Sequence, residues 1–148
     1  IDIGASSKEE ALKLVSPGDR AVICGEYTDA GDRIKSKALD DRIGCAVLIS
    51  MLLKEAEYDF YAVFSVQEEV GLRGAKAAAY TVAPKAAVAG GNNSGAVHTS
   101  RGGVRTLAIS VPCRYIHSPA SVADKCDIEN ALRLAEYMLK GICSGEIE

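Results

Sequence analysis

Between Ile43 and Leu52 the apolar residues Ile43, Val47, Leu48, Met51 and Leu52 recur at helical spacing, which puts them on one side of a helix. Asp40 and Asp41 stand just before them. Acidic side chains favour a helix N-terminus, where unpaired amides and the macrodipole sit. A second stretch of the same period (Ile128, Ala131, Leu132, Ala135, Leu139) follows Asp127 and predicts a final helix ending at Gly141. Between the two the pattern changes. DFYAVFSV (59–66) is a near-continuous apolar run of strand-forming residues, as expected of a strand buried on both faces. KAAVA (85–89) and VRTLAISV (104–111) read the same way, the latter closed by Pro112. RGAKAAAY (73–80) predicts a short Ala-rich helix, and GGNNSG (90–95) a flexible polar loop.

The first forty residues are less regular. IDIGA reads as a strand end, and Ser7 with Glu10 three residues on forms a capping box for the helix KEEALKLV. Pro17-Gly18-Asp19 is a strong turn signal. AVICGEYTD and RIKSK read as short strands around a turn at Asp29–Asp32. From Asp40 onward helices and strands alternate, which predicts an α/β fold with helices on both faces of the sheet.

Composition narrows the function classes. The chain has 148 residues, enough for one compact domain with a core. It has no Trp and few aromatic residues, so that core must be aliphatic. No stretch approaches the roughly 20 apolar residues of a membrane span. A net charge of −3 leaves no basic footprint for nucleic acid. Cys24, Cys45, Cys113, Cys126 and Cys143 are odd in number and form no C-x-x-C pair. They predict buried thiols in a reducing, cytoplasmic setting rather than disulfides or a thiolate zinc site.

In open α/β sheets ligands bind beyond the carboxyl ends of the strands. Asp40-Asp41 follow RIKSK, Glu68-Glu69 follow the 59–66 run, and His117 follows the 104–111 run. Two carboxylates and an imidazole converging there would suit a divalent metal. One glutamate can ligate the ion while the other takes a proton from the water it activates. Each residue has a plainer role open to it: Asp40 as a helix cap, Glu68 and Glu69 as solvated charges, His117 as a packed or exposed histidine. His98, in a presumed helical segment, reads as structural. Ser94 lies in GNNSG, which does not match the G-x-S-x-G elbow, and no H-E-x-x-H helix occurs.

Longer strings sharpen this. KALDDRIG (37–44), FSVQEEVGLRGA (64–75) and SVPCRYIHSP (110–119) resemble the signature segments of the glutamyl and deblocking aminopeptidases, many of which are labelled endoglucanase or cellulase M. The resemblance implies a zinc-peptidase-like catalytic domain with a mixed sheet over 37–148, and a remnant of a β-rich dimerisation domain over 1–36. It implies two divalent ions per full site, of zinc, cobalt or manganese. Asp40 would bridge them, Glu69 and His117 would ligate one, Glu68 would be the general base, and Asp41 would support Asp40 across an unusual cis peptide. The partners implied are peptide substrates and further copies of the chain, as dimers building a tetrahedral dodecamer.

The departures from that pattern are specific. The family's first ligand, a histidine in an H-x-D motif, has no counterpart here. Gly90 stands where the family places an aspartate ligand, so Ala89–Gly90 reads as a junction between two pieces of a longer parent. The ligands present suffice for about one ion. Three readings follow: a metal-dependent aminopeptidase, a non-catalytic fragment or degenerate relative holding at most one metal, and a glucanase. The last is disfavoured because adjacent Glu68 and Glu69 do not straddle a sugar bond.

Overall fold

Ser7 opens the first element. In the computed structural model, which describes residues 1–147, its hydroxyl accepts the Glu10 amide at 3.1 Å. The Glu10 carboxylate in turn accepts the Ser6 amide at 2.9 Å. This reciprocal capping starts α1 (Lys8–Leu14). The next turn closes as its sequence predicts, with the Asp19 carboxylate accepting the Ser16 amide at 2.7 Å. IDIGA and residues 21–27 form no strand; pairing begins only with β1 (Thr28–Ala30), antiparallel to β2 (Arg33–Ser36).

The helix α2 (Leu39–Leu52) buries Leu39, Ile43 and Met51. Asp40 and Asp41 have non-helical backbone angles, so the regular helix starts after them. The Asp41 carboxylate accepts the Gly44 amide at 2.9 Å. The cap is therefore Asp41, which leaves Asp40 available for other work.

The strand expected at 59–66 does not form. Tyr61 is 80% exposed and Val66 70%. Strand propensity is fitness for a pleated, half-buried surface, and no strand among the described residues lies alongside to create one. Next come α3 (Arg73–Val82), β3 (Ala86–Ala89), α4 (Gly91–His98) and β4 (Arg105–Ala108). β3 and β4 pair in parallel. The loop expected at 90–95 is thus helical from Gly91. Packing overrides its poor propensity, because Ala96 and Val97 close against Ala75, Ala79 and Val104.

β5 (Cys113–Arg114) pairs with β6 (Ser121–Asp124), a strand the sequence pattern did not reveal. β6 also pairs with β2, giving an antiparallel sheet in the order β1-β2-β6-β5. The last helix, α5 (Lys125–Ser144), starts earlier and ends later than predicted. Asp124 caps it, accepting the Cys126 amide at 2.9 Å. Gly141 lies buried inside it and Gly145 ends it in a left-handed conformation. Lys125 is fastened to the first hairpin by Asp29 at 2.8 Å. Their hydrogen bond holds the Asp29 carboxyl below its usual range and the Lys125 ammonium above its own.

The mixed α/β architecture is as expected, with its strands divided between two sheets. Its core is thinner than the composition suggested. Two small clusters carry it: the one around Ala75, and Leu39, Ile43 and Ala123 with Ile34, Val111 and Ile128. The accessible surface is 10631 Å², where a compact protein of this mass exposes about 7200 Å². The cysteines share in this openness. Cys113 is half-buried and the other four are exposed and free, against the expectation of buried thiols.

One local conformation can be improved. Ala83 closes α3 at φ 52 and ψ 51 and is exposed. A residue with a Cβ is disfavoured there, and glycine is the usual occupant. Ala83→Gly is expected to raise the unfolding free energy by about 0.5–1 kcal/mol in a urea titration, the relief of the left-handed strain less glycine's added freedom in the unfolded chain. A fall would mean that glycine's added freedom in the unfolded chain outweighs the relief.

Candidate metal centre

Three separate segments bring carboxylates and an imidazole together. Asp40 sits in the kink between β2 and the regular part of α2. Glu69 sits in the turn before α3, and His117 in the loop between β5 and β6. One donor atom from each lies within 4.8 Å of the other two. His117 Nε2 stands 3.2 Å from Asp40 Oδ2. The three line a cavity of about 150 Å³ with Lys37, Ser118 and Ser121.

Each segment is held by its own backbone. In the turn before α3, the amides of Gly71 and Leu72 both donate to the Glu68 carbonyl, at 3.1 and 2.9 Å. The amides of Arg73 and Gly74 close it further onto Gln67 and Val66. In the His117 loop, the Ser118 and Ser121 hydroxyls both donate to the Tyr115 carbonyl, at 2.6 and 3.2 Å. Ala38, Gln67, Tyr115 and His117 all have left-handed backbone angles, with φ between 53 and 60. Each costs about 1 kcal/mol or more, so the surrounding hydrogen bonds must hold these turns in place. The Asp40–Asp41 peptide is cis, as the resemblance implied.

The geometry can be tested against an ion. Two neighbouring ligands, each about 2.1 Å from a metal, stand roughly 3–3.5 Å apart. The Asp40–His117 separation of 3.2 Å matches that. The donor set of two carboxylates and one imidazole suits zinc and similar divalent ions. The cavity has room for an ion and a few waters.

The other predicted residues take different positions. Glu68 is half-buried beside Glu69 and is outside the three-residue cluster. Asp41 caps the helix; partial burial pushes its carboxyl above the usual range, Asp40's charge adds to this and the Gly44 amide opposes it. A Cβ built on Gly44 would collide with the Asp41 carboxylate, so glycine is needed there for the cap. His98 is the exposed last residue of α4, apart from the cluster. A Cβ at Gly90 would stand 3.7 Å from Asp41 Oδ2. A side chain at position 90 would thus face this region, and glycine offers it no donor. The residues present fit one ion, and no second donor set occurs among the described residues.

Lys37, Ser118 and Ser121 were not singled out from sequence. Lys37 lies within the KALDDRIG string, and both serines follow His117 closely in a pattern that hydroxyl-to-carbonyl turns favour.

Known proteins resemble this chain both in sequence and in fold. A protein of Acetivibrio thermocellus, provisionally named an aminopeptidase, is 35% identical over 205 residues, covering 97% of this chain and 61% of its own length. This chain has only 148 residues, so at least 57 of those 205 aligned positions have no counterpart in it. An aminopeptidase structure from the archaeon Desulfurococcus kamchatkensis superposes with a TM-score of 0.79 at 30% identity, covering 91% of this chain and 57% of that one. The TET1 peptidase of Pyrococcus horikoshii, described as assembling into a tetrahedron or a large octahedral shell, superposes with a TM-score of 0.71 at 28% identity, covering 93% of this chain and 59% of that one. The chain thus spans about three fifths of the length of these relatives. The family model of the M42 glutamyl aminopeptidases matches residues 1–90 and 87–134, two segments that overlap over 87–90, at the end of β3. With matches running through all three segments of the cluster, this chain belongs to the M42 glutamyl aminopeptidase family.

Proposed function

We propose that this chain carries the catalytic core of a metal-dependent aminopeptidase, which removes N-terminal residues from peptides. The observation that carries the reading is the meeting of Asp40, Glu69 and His117 at one small cavity. A divalent ion of the zinc, cobalt or manganese class held by these three would polarise the scissile carbonyl and acidify the attacking water. Asp40 and Glu69 supply the negative charge that balances the ion. The Glu68 carboxylate accepts the water's proton and returns it to the nitrogen of the leaving amine. Asp41 pins the kink that aims Asp40, and the two serine hydroxyls pin the loop that aims His117.

The same reading divides the chain into a return segment of a dimerisation domain (1–36) and a catalytic core (37–148), with a junction at 89–90. The two matched segments that overlap near residue 90 support that junction. Assembly into homo-oligomers and a cytoplasmic setting belong to it as well. The free cysteines suit a reducing compartment.

A second reading rests on Gly90. Without a ligand there the family's second ion has no seat, so half of the clamp on carbonyl and water is missing. The chain would then be a one-metal relative with little or no turnover. Metal content per chain, measured by elemental analysis after dialysis against trace zinc or cobalt, decides the matter. One ion is expected, lost in Glu69→Ala and His117→Ala. Two ions would restore the full two-metal mechanism and overturn the half-site reading. No ion in folded protein would overturn the catalytic reading. Peptidase assay with added metal then separates a slow enzyme from an inert relative.

A further inference from the structure

A groove of about 670 Å³ runs along α3 from Gly71, and none of the residues that line the metal centre lines it. Arg73, Lys76 and Tyr80 form one wall, and Thr99 and Arg101, from the turn after α4, form the other. Arg73, Lys76 and Tyr80 follow at steps of three and four residues, so they share one helix face. Three cations and no carboxylate line this groove, in a chain whose 20 acidic residues outnumber its 17 basic ones. Among the described residues none of the three pairs with an acid. Three unpaired cations on one groove give it a positive field that favours an anion.

Arg101 is already in position. Its Nε donates to the Tyr80 carbonyl at 2.8 Å. Its guanidinium lies 4.5 Å from the centre of the Tyr80 ring. Neither contact neutralises its charge, and both immobilise the side chain before any ligand arrives. A fixed guanidinium loses less freedom on binding than a mobile one. The lining hydroxyls contribute differently. Thr81 donates its proton to the Ala77 carbonyl at 3.0 Å, and Thr99 to the Gly95 carbonyl at 3.1 Å. Both offer lone pairs rather than protons to the groove, so these two threonines leave the anion to the three cations, beside the Tyr80 and Ser100 hydroxyls that also line it.

We propose that this groove is a binding site for a small molecule bearing a multiply charged anionic group, either a phosphate or paired carboxylates. Its volume lies in the range of sites that enclose small ligands. Charge-assisted hydrogen bonds from two guanidinium groups and an ammonium would hold the anion, and the Tyr80 ring gives its carbon skeleton an apolar surface.

The test is calorimetric titration of inorganic phosphate, and separately of succinate, into metal-free protein at constant ionic strength. Saturable one-site binding of at least one is expected. The tighter of the two identifies the group. Arg73→Gln and Lys76→Gln change exposed side chains and should each weaken binding at least about tenfold, the scale of one charge-assisted hydrogen bond. Lys140→Gln, on α5 and paired with Glu57, should leave binding unchanged. Failure of both anions to saturate, or equal affinity in all variants, would overturn the proposal.

Discussion

Glu69→Ala and His117→Ala are each expected to weaken zinc binding by at least about 100-fold. Losing even an outer partner of a metal ligand costs about 10–100-fold in affinity, and these two residues are read as ligands themselves. With three protein donors in the cluster, removing one leaves two, too few to outcompete water and buffer for the ion. Both side chains are exposed, so the substitutions should not disturb packing and the far-ultraviolet circular dichroism should not change. Competition against a chromophoric chelator measures the loss directly. Glu68→Gln provides the contrast: zinc affinity should stay within a few-fold, while any peptidase turnover falls by about 10²–10⁴-fold, the usual contribution of a general base. If Glu69→Ala bound zinc as tightly as the parent chain, the ion would be held elsewhere. If Glu68→Gln lost zinc and Glu69→Ala did not, the two glutamates would exchange roles.

The elements legible in the sequence are those whose local pattern and tertiary setting agree. α2, α3 and α5 have a clear helical period or composition, and β2, β3 and β4 lie within their predicted runs. Only the end of α4, around His98, was legible, because its GGNNSG start favours a loop; what makes that start helical is Ala96 and Val97 closing onto Ala75, Ala79 and Val104. β6 escaped because SVAD is short, and only pairing with β2 on one side and β5 on the other gives it meaning. The 59–66 run failed in the opposite way. Its composition reports a need for burial, but a strand forms only against a neighbour, and Tyr61 and Phe64 stand exposed instead.

The candidate ligands were legible in type but not in their spatial arrangement. Asp40, Glu69 and His117 each had a plain alternative when read singly, and the spacing along the chain carries no distance between them. Family strings named them together, and the fold brings them to one cavity. The helix-cap role considered for Asp40 exists in the structure but belongs to its neighbour Asp41.

Gly74 links the stability of the fold to the position of the site. It lies in the first turn of α3, and its amide donates to the Val66 carbonyl at 3.0 Å. A Cβ built on it would run into that carbonyl oxygen and stand 2.6 Å from the Val66 amide nitrogen. No rotamer change relieves a collision with backbone, so the segment carrying Glu68 and Glu69 would have to move away from the helix. Overpacking of this kind costs about 1–3 kcal/mol, whereas an ordinary Gly→Ala change inside a helix gains about 0.5–1 kcal/mol. Gly95, in α4, supplies the ordinary case, because nothing lies within 4 Å of its added Cβ. In urea titration Gly95→Ala should therefore stabilise the chain and Gly74→Ala should destabilise it by about 2 kcal/mol. Gly74→Ala should also lower zinc affinity, since Glu69 moves with Val66, while Gly95→Ala should not. Equal stabilisation by both would show that Val66 does not press on Gly74. Destabilisation by Gly74→Ala with unchanged zinc affinity would show that Glu69 is held by its own turn, through the Gly71 and Leu72 amides, independently of the segment that precedes it.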